Sequence, residues 1–264
     1  MTIIWSEEAG DPDTPLIALV HGSMDRSTGM LKLSRRLDDR FRVLRYDRRG
    51  YNRSGTPSAD YSIGAQVADL IELLAGRRAL VIGHSYGGNV ALAAAATHPD
   101  LVAGVAVYES PMSWEPSWPG RAAGVVAEDR DPGESAERFM RMMLGDSLWE
   151  SLPERTRMAR RGEGATFVGE LRQLASGPPW VAADIRCPLV VAYGTLAREH
   201  HRVAMRRLHE QVPGSELVVL DGCRHDAPLS HSALFASAIV EPLAHKVGPP
   251  WSAALGPASS PPRP

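Results

Sequence analysis

Ser85 stands in Gly83-His84-Ser85-Tyr86-Gly87, after the apolar run Leu80-Val81-Ile82 and before a further glycine, Gly88. A strand that enters such a pattern and leaves it as a helix makes a sharp, strained turn. The turn holds the serine hydroxyl out beside a helix N-terminus, and the flanking glycines relieve crowding. The chemistry on offer is attack of a hydroxyl on an acyl carbon. A hydroxyl is a weak nucleophile at neutral pH, so it needs a base, a carboxylate to orient the base, and N–H donors for the oxyanion. The bland alternative is a turn whose glycines serve packing alone.

A base occurs late in the chain. Of nine histidines, His200, His201, His209 and His245 fall in helical patterns, His98 ends a helix and His231 opens one. His225 follows the apolar run Leu217–Leu220 on the loop Asp221-Gly222-Cys223-Arg224-His225, which can carry its imidazole over Ser85. Donors come from His21-Gly22-Ser23, which follows the first apolar run. Gly22 lets the backbone approach a substrate, and the amides of Ser23 and Tyr86 would form the oxyanion hole. The side chains of His21 and Asp47 read as loop supports.

These residues need a scaffold, and the chain supplies its pattern. Short apolar runs at Leu16–Val20, Val43–Tyr46, Leu80–Ile82, Leu101–Tyr108, Leu189–Tyr193 and Leu217–Leu220 each end at a turn residue. Such runs fit strands buried on both faces of a parallel sheet. Between them, Val67, Leu70, Ile71 and Leu74 keep helical spacing, as do Asn89–Thr97, Glu199–Val212 and His231–His245. The alternation predicts an α/β fold, a mostly parallel sheet with helices on both faces and sites at the carboxyl ends of the strands.

Residues 113–181 break the alternation. They hold Trp114, Trp118, Trp149 and Trp180 and helical spacings such as Phe139-Met140-Met143-Leu144. This stretch reads as a helical cap dividing a core of residues 1–112 and 182–247. Trp114, Phe139 and Trp149 are candidates for setting substrate choice, although for each one taken alone ordinary core packing is the favoured reading. The Pro- and Ser-rich stretch 248–264 reads as a disordered tail.

Composition bounds the partners. The 264 residues carry 29 Lys and Arg against 31 Asp and Glu, a net charge of -2 that leaves no footprint for nucleic acid. The Arg-rich stretch 35–53 is diluted by Asp38, Asp39 and Asp47 and reads as solvated surface. No segment approaches the ~20 apolar residues of a membrane span, and the start shows no apolar signal region. Two cysteines, Cys187 and Cys223, make neither a disulfide framework nor a zinc spacing and fit a reducing cytoplasm. The expectation is a cytoplasmic enzyme acting on a small molecule, with no nucleic-acid or membrane partner, no cofactor and no metal. Oligomeric state stays open.

The order His-Gly-Ser, Asp-Arg-Arg-Gly, Gly-His-Ser-Tyr-Gly and a late Gly-x-x-His resembles the α/β-hydrolase fold superfamily, and within it the small capped serine hydrolases. Dehalogenases and epoxide hydrolases of that group use an aspartate nucleophile, which Ser85 argues against. Asn52 replaces a glycine usual in the Asp-x-x-Gly-x-Gly-x-Ser motif. A larger departure concerns the acid. The resemblance places it after the next-to-last strand, where this chain has Leu196 and Ala197 and the nearest carboxylate is Glu199. Glu109, at the carboxyl end of the strand after the nucleophile helix, is the preferred acid. The superfamily allows that position in some branches. Glu199 and the absence of a dedicated acid remain alternatives.

The leading function is therefore a serine hydrolase cleaving an ester, thioester or related acyl substrate with an apolar acyl or ring group. The resemblance also admits a lyase, cyclase, acyltransferase or cofactor-free oxygenase, because fold does not set reaction. A non-catalytic ligand-binding member is the third reading.

Overall fold

The computed structural model describes residues 4–55, 60–115, 118–119 and 131–256. Seven strands form one sheet in the order β1-β3-β2-β4-β5-β6-β7. They are β1 Ser6–Ala9, β2 Leu16–Val20, β3 Arg42–Tyr46, β4 Ala79–His84, β5 Val102–Tyr108, β6 Leu189–Gly194 and β7 Glu216–Leu220. Only β1 runs antiparallel, against β3. The residues of β2 are all buried, and so are those of β5 and β6, as continuous apolar runs require. The sequence reading lacks β1: Ser6-Glu7-Glu8-Ala9 is polar and carries no strand signal. Pairing with β3 holds it there, together with an ion pair of 2.6 Å between Glu7 and Arg45.

Register sets the site. Val20 pairs with Gly83, His84 with Tyr108, and Gly194 with Leu220. The carboxyl ends of β2, β4, β5, β6 and β7 therefore deliver His21, Ser85, Glu109, Thr195 and Asp221 to one edge of the sheet. On one face pack α2 Ile63–Leu74, α3 Tyr86–Thr97 and α8 Glu199–Gln211, through Val67, Leu70, Val90, Met205 and Leu208. The other face is covered by α1 Leu31–Ser34, α10 Ser232–Phe235 and α11 Glu241–Val247, with the short α9 Ala227–Ser230 ahead of them. The predicted helix over 231–245 is present as one continuous helical run over 232–247, in which a π-turn at Ala236–Val240 precedes Pro242, whose missing N–H a regular α-helix would use.

Four helices stand between β5 and β6: α4 Pro132–Leu144, α5 Asp146–Ser151, α6 Glu154–Gly162 and α7 Gly164–Ser176. Asp131 caps α4 by accepting the Glu134 N–H at 3.0 Å, and Pro132 opens it. Ala136, Met140, Trp149, Phe167 and Val168 make a small core of their own with Met24 and Tyr51. Trp114 and Trp180, near the two ends of the predicted cap, pack on the main core, edge to face at 5.6 Å. Trp149 is 1% exposed and fills the core of the cap, so it does not face a substrate. Residues 116–117 and 120–130 of the predicted cap lie outside the described residues.

The tail expectation is also corrected in part. Over 248–256 the chain is ordered: Trp251 is buried, and its indole N–H donates to the Leu16 carbonyl at 3.1 Å. Burial of one large aromatic ring offsets the ordering entropy that proline and serine content alone would leave unmet. Residues 257–264 lie outside the described residues.

Candidate active site

β4 ends at His84 and α3 begins at Tyr86, so Ser85 must reverse the chain by itself. It does so at φ 53° and ψ -125°, a left-handed conformation that costs a non-glycine residue about 1–3 kcal/mol. Neighbours hold it there: the Ser85 N–H donates to the Tyr108 carbonyl and the Gly88 N–H to the Ser85 carbonyl, each at 2.9 Å. The turn also demands close approach. A Cβ on Gly87 would stand 2.3 Å from the Val20 carbonyl oxygen. One on Gly22 would stand 2.9 Å from Ser85 Cβ and 3.4 Å from its Oγ. Gly22→Ala should therefore displace the serine or the loop against it. A misplacement of about 1 Å costs on the order of 10²-fold in turnover, to be read as kcat on an aryl ester with unchanged circular dichroism.

Glu109 ends β5, also at positive φ, 50°, and its side chain is fully buried. Its Oε1 accepts the Gly194 N–H at 3.0 Å, and its Oε2 accepts the Nδ1–H of His225 at 2.7 Å. A carboxylate can only accept, so a proton sits on His225 Nδ1, and in the neutral ring Nε2 then carries the lone pair. Glu199 does not reach this place. Its side chain is 61% exposed and pairs with Arg202 and Arg206 on α8. Among the described residues, no hydrogen bond joins Ser85 Oγ to His225.

The loop carrying His225 is pinned from beneath. The Tyr108 hydroxyl donates to the Arg224 carbonyl at 2.9 Å, and the Leu196 N–H to the Cys223 carbonyl at 3.0 Å. His84, next to the serine, donates from Nε2 to the His225 carbonyl at 2.8 Å. Burial, reinforced by His225 nearby, pushes the His84 pKa down to about 3, so it stays a neutral donor.

The loop after β2 is tied to the helical insert between β5 and β6. The Ser23 hydroxyl donates to Glu170 Oε2 of α7 at 2.6 Å, and the Tyr51 hydroxyl donates to the same oxygen at 2.7 Å. Glu170 also pairs with the Arg48 guanidinium, and both side chains are buried. Arg48 Nε donates to the His21 carbonyl at 2.8 Å, and its backbone N–H donates to His21 Nε2 at 2.9 Å. His21 Nδ1 donates to the Gly22 carbonyl at 2.8 Å. Tyr86 opens α3, so its N–H is one of the helix donors without an intrahelical acceptor. Asp47 accepts from the Ser27 N–H at 2.9 Å and from Asn52 Nδ2 at 2.7 Å. Asn52 sits at φ 47°, a conformation asparagine tolerates, which is how it serves where glycine is usual.

His84, Tyr108, Arg48 and Glu170 were not identified as site residues from the sequence. His84 could have been found, since it adjoins the serine. Glu170 carries no local signal.

Buried neutral histidines make a testable pH dependence. His21 and His84 are both held below their ordinary pKa, chiefly by burial. The unfolded chain, titrating near 6.5, binds more protons below that pH than the folded one does, so stability falls as pH drops from about 6.5. Two such groups lose about 2–3 kcal/mol between pH 7.5 and 5.5. Urea midpoints at the two pH values check this; equal midpoints would contradict it.

A serine at a strand-to-helix turn, a buried carboxylate–histidine pair and a helical insert after β5 together define an α/β hydrolase. The chain matches the model of the alpha/beta hydrolase family over residues 17–238 and belongs to that family. It is 29% identical over 222 residues to the pimeloyl-[acyl-carrier protein] methyl ester esterase of Yersinia enterocolitica, covering 78% of this chain and 84% of that one. A thermophilic esterase from Thermogutta terrifontis superposes with a TM-score of 0.72 at 22% identity, covering 92% and 93% of the two chains. The enol-lactonase from Burkholderia xenovorans gives 0.71 at 23% identity, covering 89% and 94%. At these identities the two solved structures speak for the fold. Among the described residues, no helix is long and apolar enough to cross a membrane.

Proposed function

We propose that the protein is a serine hydrolase that cleaves an ester, thioester or related acyl bond of a small molecule through an acyl-enzyme on Ser85. One observation carries the reading: buried Glu109 accepts the Nδ1–H of His225 at 2.7 Å, on the sheet edge where Ser85 is held at φ 53°. In this reading Ser85 Oγ attacks the acyl carbon and passes its proton to His225 Nε2. Glu109 keeps the imidazole in the receptive tautomer and stabilises the imidazolium. The amides of Ser23 and Tyr86 take the oxyanion. The imidazolium then protonates the leaving group. Water, deprotonated by the same histidine, releases the acid and restores Ser85.

The esterase named among the relatives supports acyl-ester chemistry. Partly buried Trp118, edge-on to His201 beside His225, fits an apolar acyl or ring group. Two free cysteines fit a reducing, cytoplasmic setting.

The test is intact-protein mass spectrometry after treatment with a fluorophosphonate. A single adduct mapping to Ser85 is expected. Labelling that persists in Ser85→Ala would sink the reading.

A further inference from the structure

One imidazole beside the acid–base pair has no task in the proposed reaction. His201, on α8, lies with its ring centroid 4.8 Å from that of His225, and its Nδ1 is buried without a hydrogen-bond partner among the described residues. Two other histidines near the serine are engaged: His84 donates to the His225 carbonyl, and both ring nitrogens of His21 are bonded. A ring wanted only for packing would be better served by phenylalanine, because an unsatisfied buried nitrogen costs about 1–3 kcal/mol. One ligand atom each from Glu109, His201 and His225 lies within 4.8 Å of the others.

Resting on the hydrolase reading above, we propose that Glu109, His201 and His225 form a site for a divalent transition metal, zinc by preference, and that its occupancy switches the hydrolase off. Two imidazoles and a carboxylate are a donor set suited to zinc. Bonds of about 2.0–2.1 Å at tetrahedral angles put donors about 3.3 Å apart. From 4.8 Å the set must close by no more than ~1.5 Å, the scale of side-chain rotation. His225 is 21% exposed, so solvent reaches the acid–base pair.

The consequence for catalysis follows from the lone pairs of imidazole. A neutral ring has one lone pair on nitrogen. Once that pair is given to zinc, the proton stays on the other nitrogen, and His225 has nothing left to accept the Ser85 proton. If zinc takes Nδ1, the proton moves to Nε2 and the Glu109 hydrogen bond is exchanged for a metal bond. A His225 that was protonated releases its proton to solvent on binding.

Chelator-treated full-length protein, titrated with zinc sulfate, should bind one zinc per chain by calorimetry. Hydrolysis of an aryl ester should fall at least 10-fold at saturation and return on addition of EDTA. X-ray absorption on the zinc-loaded wild type should show two imidazoles and one carboxylate. His201→Gln and the ring-filling His201→Phe should each raise the half-inhibitory zinc concentration at least 10-fold, while His200→Gln leaves it unchanged. No zinc binding, a ligand set without two imidazoles, or inhibition insensitive to His201 would overturn the proposal. Calorimetry and absorption need no turnover, so they decide the site even if no ester is cleaved. Fluorophosphonate labelling of metal-free protein decides the hydrolase reading separately.

Discussion

Glu109→Gln should lower turnover by about 10³–10⁴-fold and leave the fold intact, while Glu199→Gln should change it little. The first substitution keeps the shape of the side chain and an acceptor oxygen for the Gly194 N–H, which Oε1 now takes at 3.0 Å. It removes the charge that His225 faces at 2.7 Å. A glutamine can also turn its NH₂ toward the histidine, which favours the tautomer with the proton on Nε2, and that tautomer cannot accept the Ser85 proton. Glu199 is 61% exposed and engaged with arginines on its own helix, so its loss is a surface change. The measurement is kcat for both variants on one aryl ester, with active-site titration by fluorophosphonate to count competent molecules. Near-normal turnover in Glu109→Gln would remove the carboxylate from the mechanism. Collapse in Glu199→Gln would require α8 to unwind toward His225.

Much of the fold, and the placing of the candidate site residues at one sheet edge, is legible in the sequence for physical reasons. A strand buried on both faces must be continuously apolar, so β2, β4, β5 and β6 announce themselves, and with them the edge that carries Ser85 and Glu109. A left-handed turn must have room, so the glycines around Ser85 mark it. What stays hidden lacks a local constraint. β1 is polar because it lies at the sheet margin. Trp149 and a pocket-lining tryptophan leave the same apolar trace, so packing in the cap core was indistinguishable from contact with substrate. Glu170 reads like any helical glutamate; its partners Arg48 and Ser23 lie 122 and 147 residues away in the chain. His84 occupies a position where the turn tolerates many side chains, and only the fold shows that it carries the His225 carbonyl. Pairings across long separations depend on how the cap docks, which periodicity does not encode.

The Arg48–Glu170 pair ties α7 of the helical insert to the loop after β3, and breaking it should separate stability from catalysis. Both side chains are buried, at 1% and 0% exposure, so removing either partner leaves an uncompensated charge. Arg48→Met and Glu170→Gln should each lose about 3–5 kcal/mol in denaturant unfolding. The double variant removes both charges, so its loss should be far smaller than the sum of the two single losses. Turnover should not recover in the same way. Glu170 holds the Ser23 hydroxyl at 2.6 Å and Arg48 holds the His21 carbonyl at 2.8 Å, so the pair fixes the loop whose Ser23 amide is proposed to meet the oxyanion. Losing one oxyanion donor outright costs about 10²–10³-fold in kcat, and a loosened one should cost at least ~10-fold. A folded double variant with wild-type kcat would reduce the pair to a cap anchor. Single variants as stable as wild type would mean that α7 opens to solvent and the carboxylate is not held as drawn. A double variant that unfolds at wild-type urea but turns over at least ~10-fold more slowly, with every molecule still titrating at Ser85, is the outcome in which the cap, through Glu170, sets the geometry of the reaction it covers.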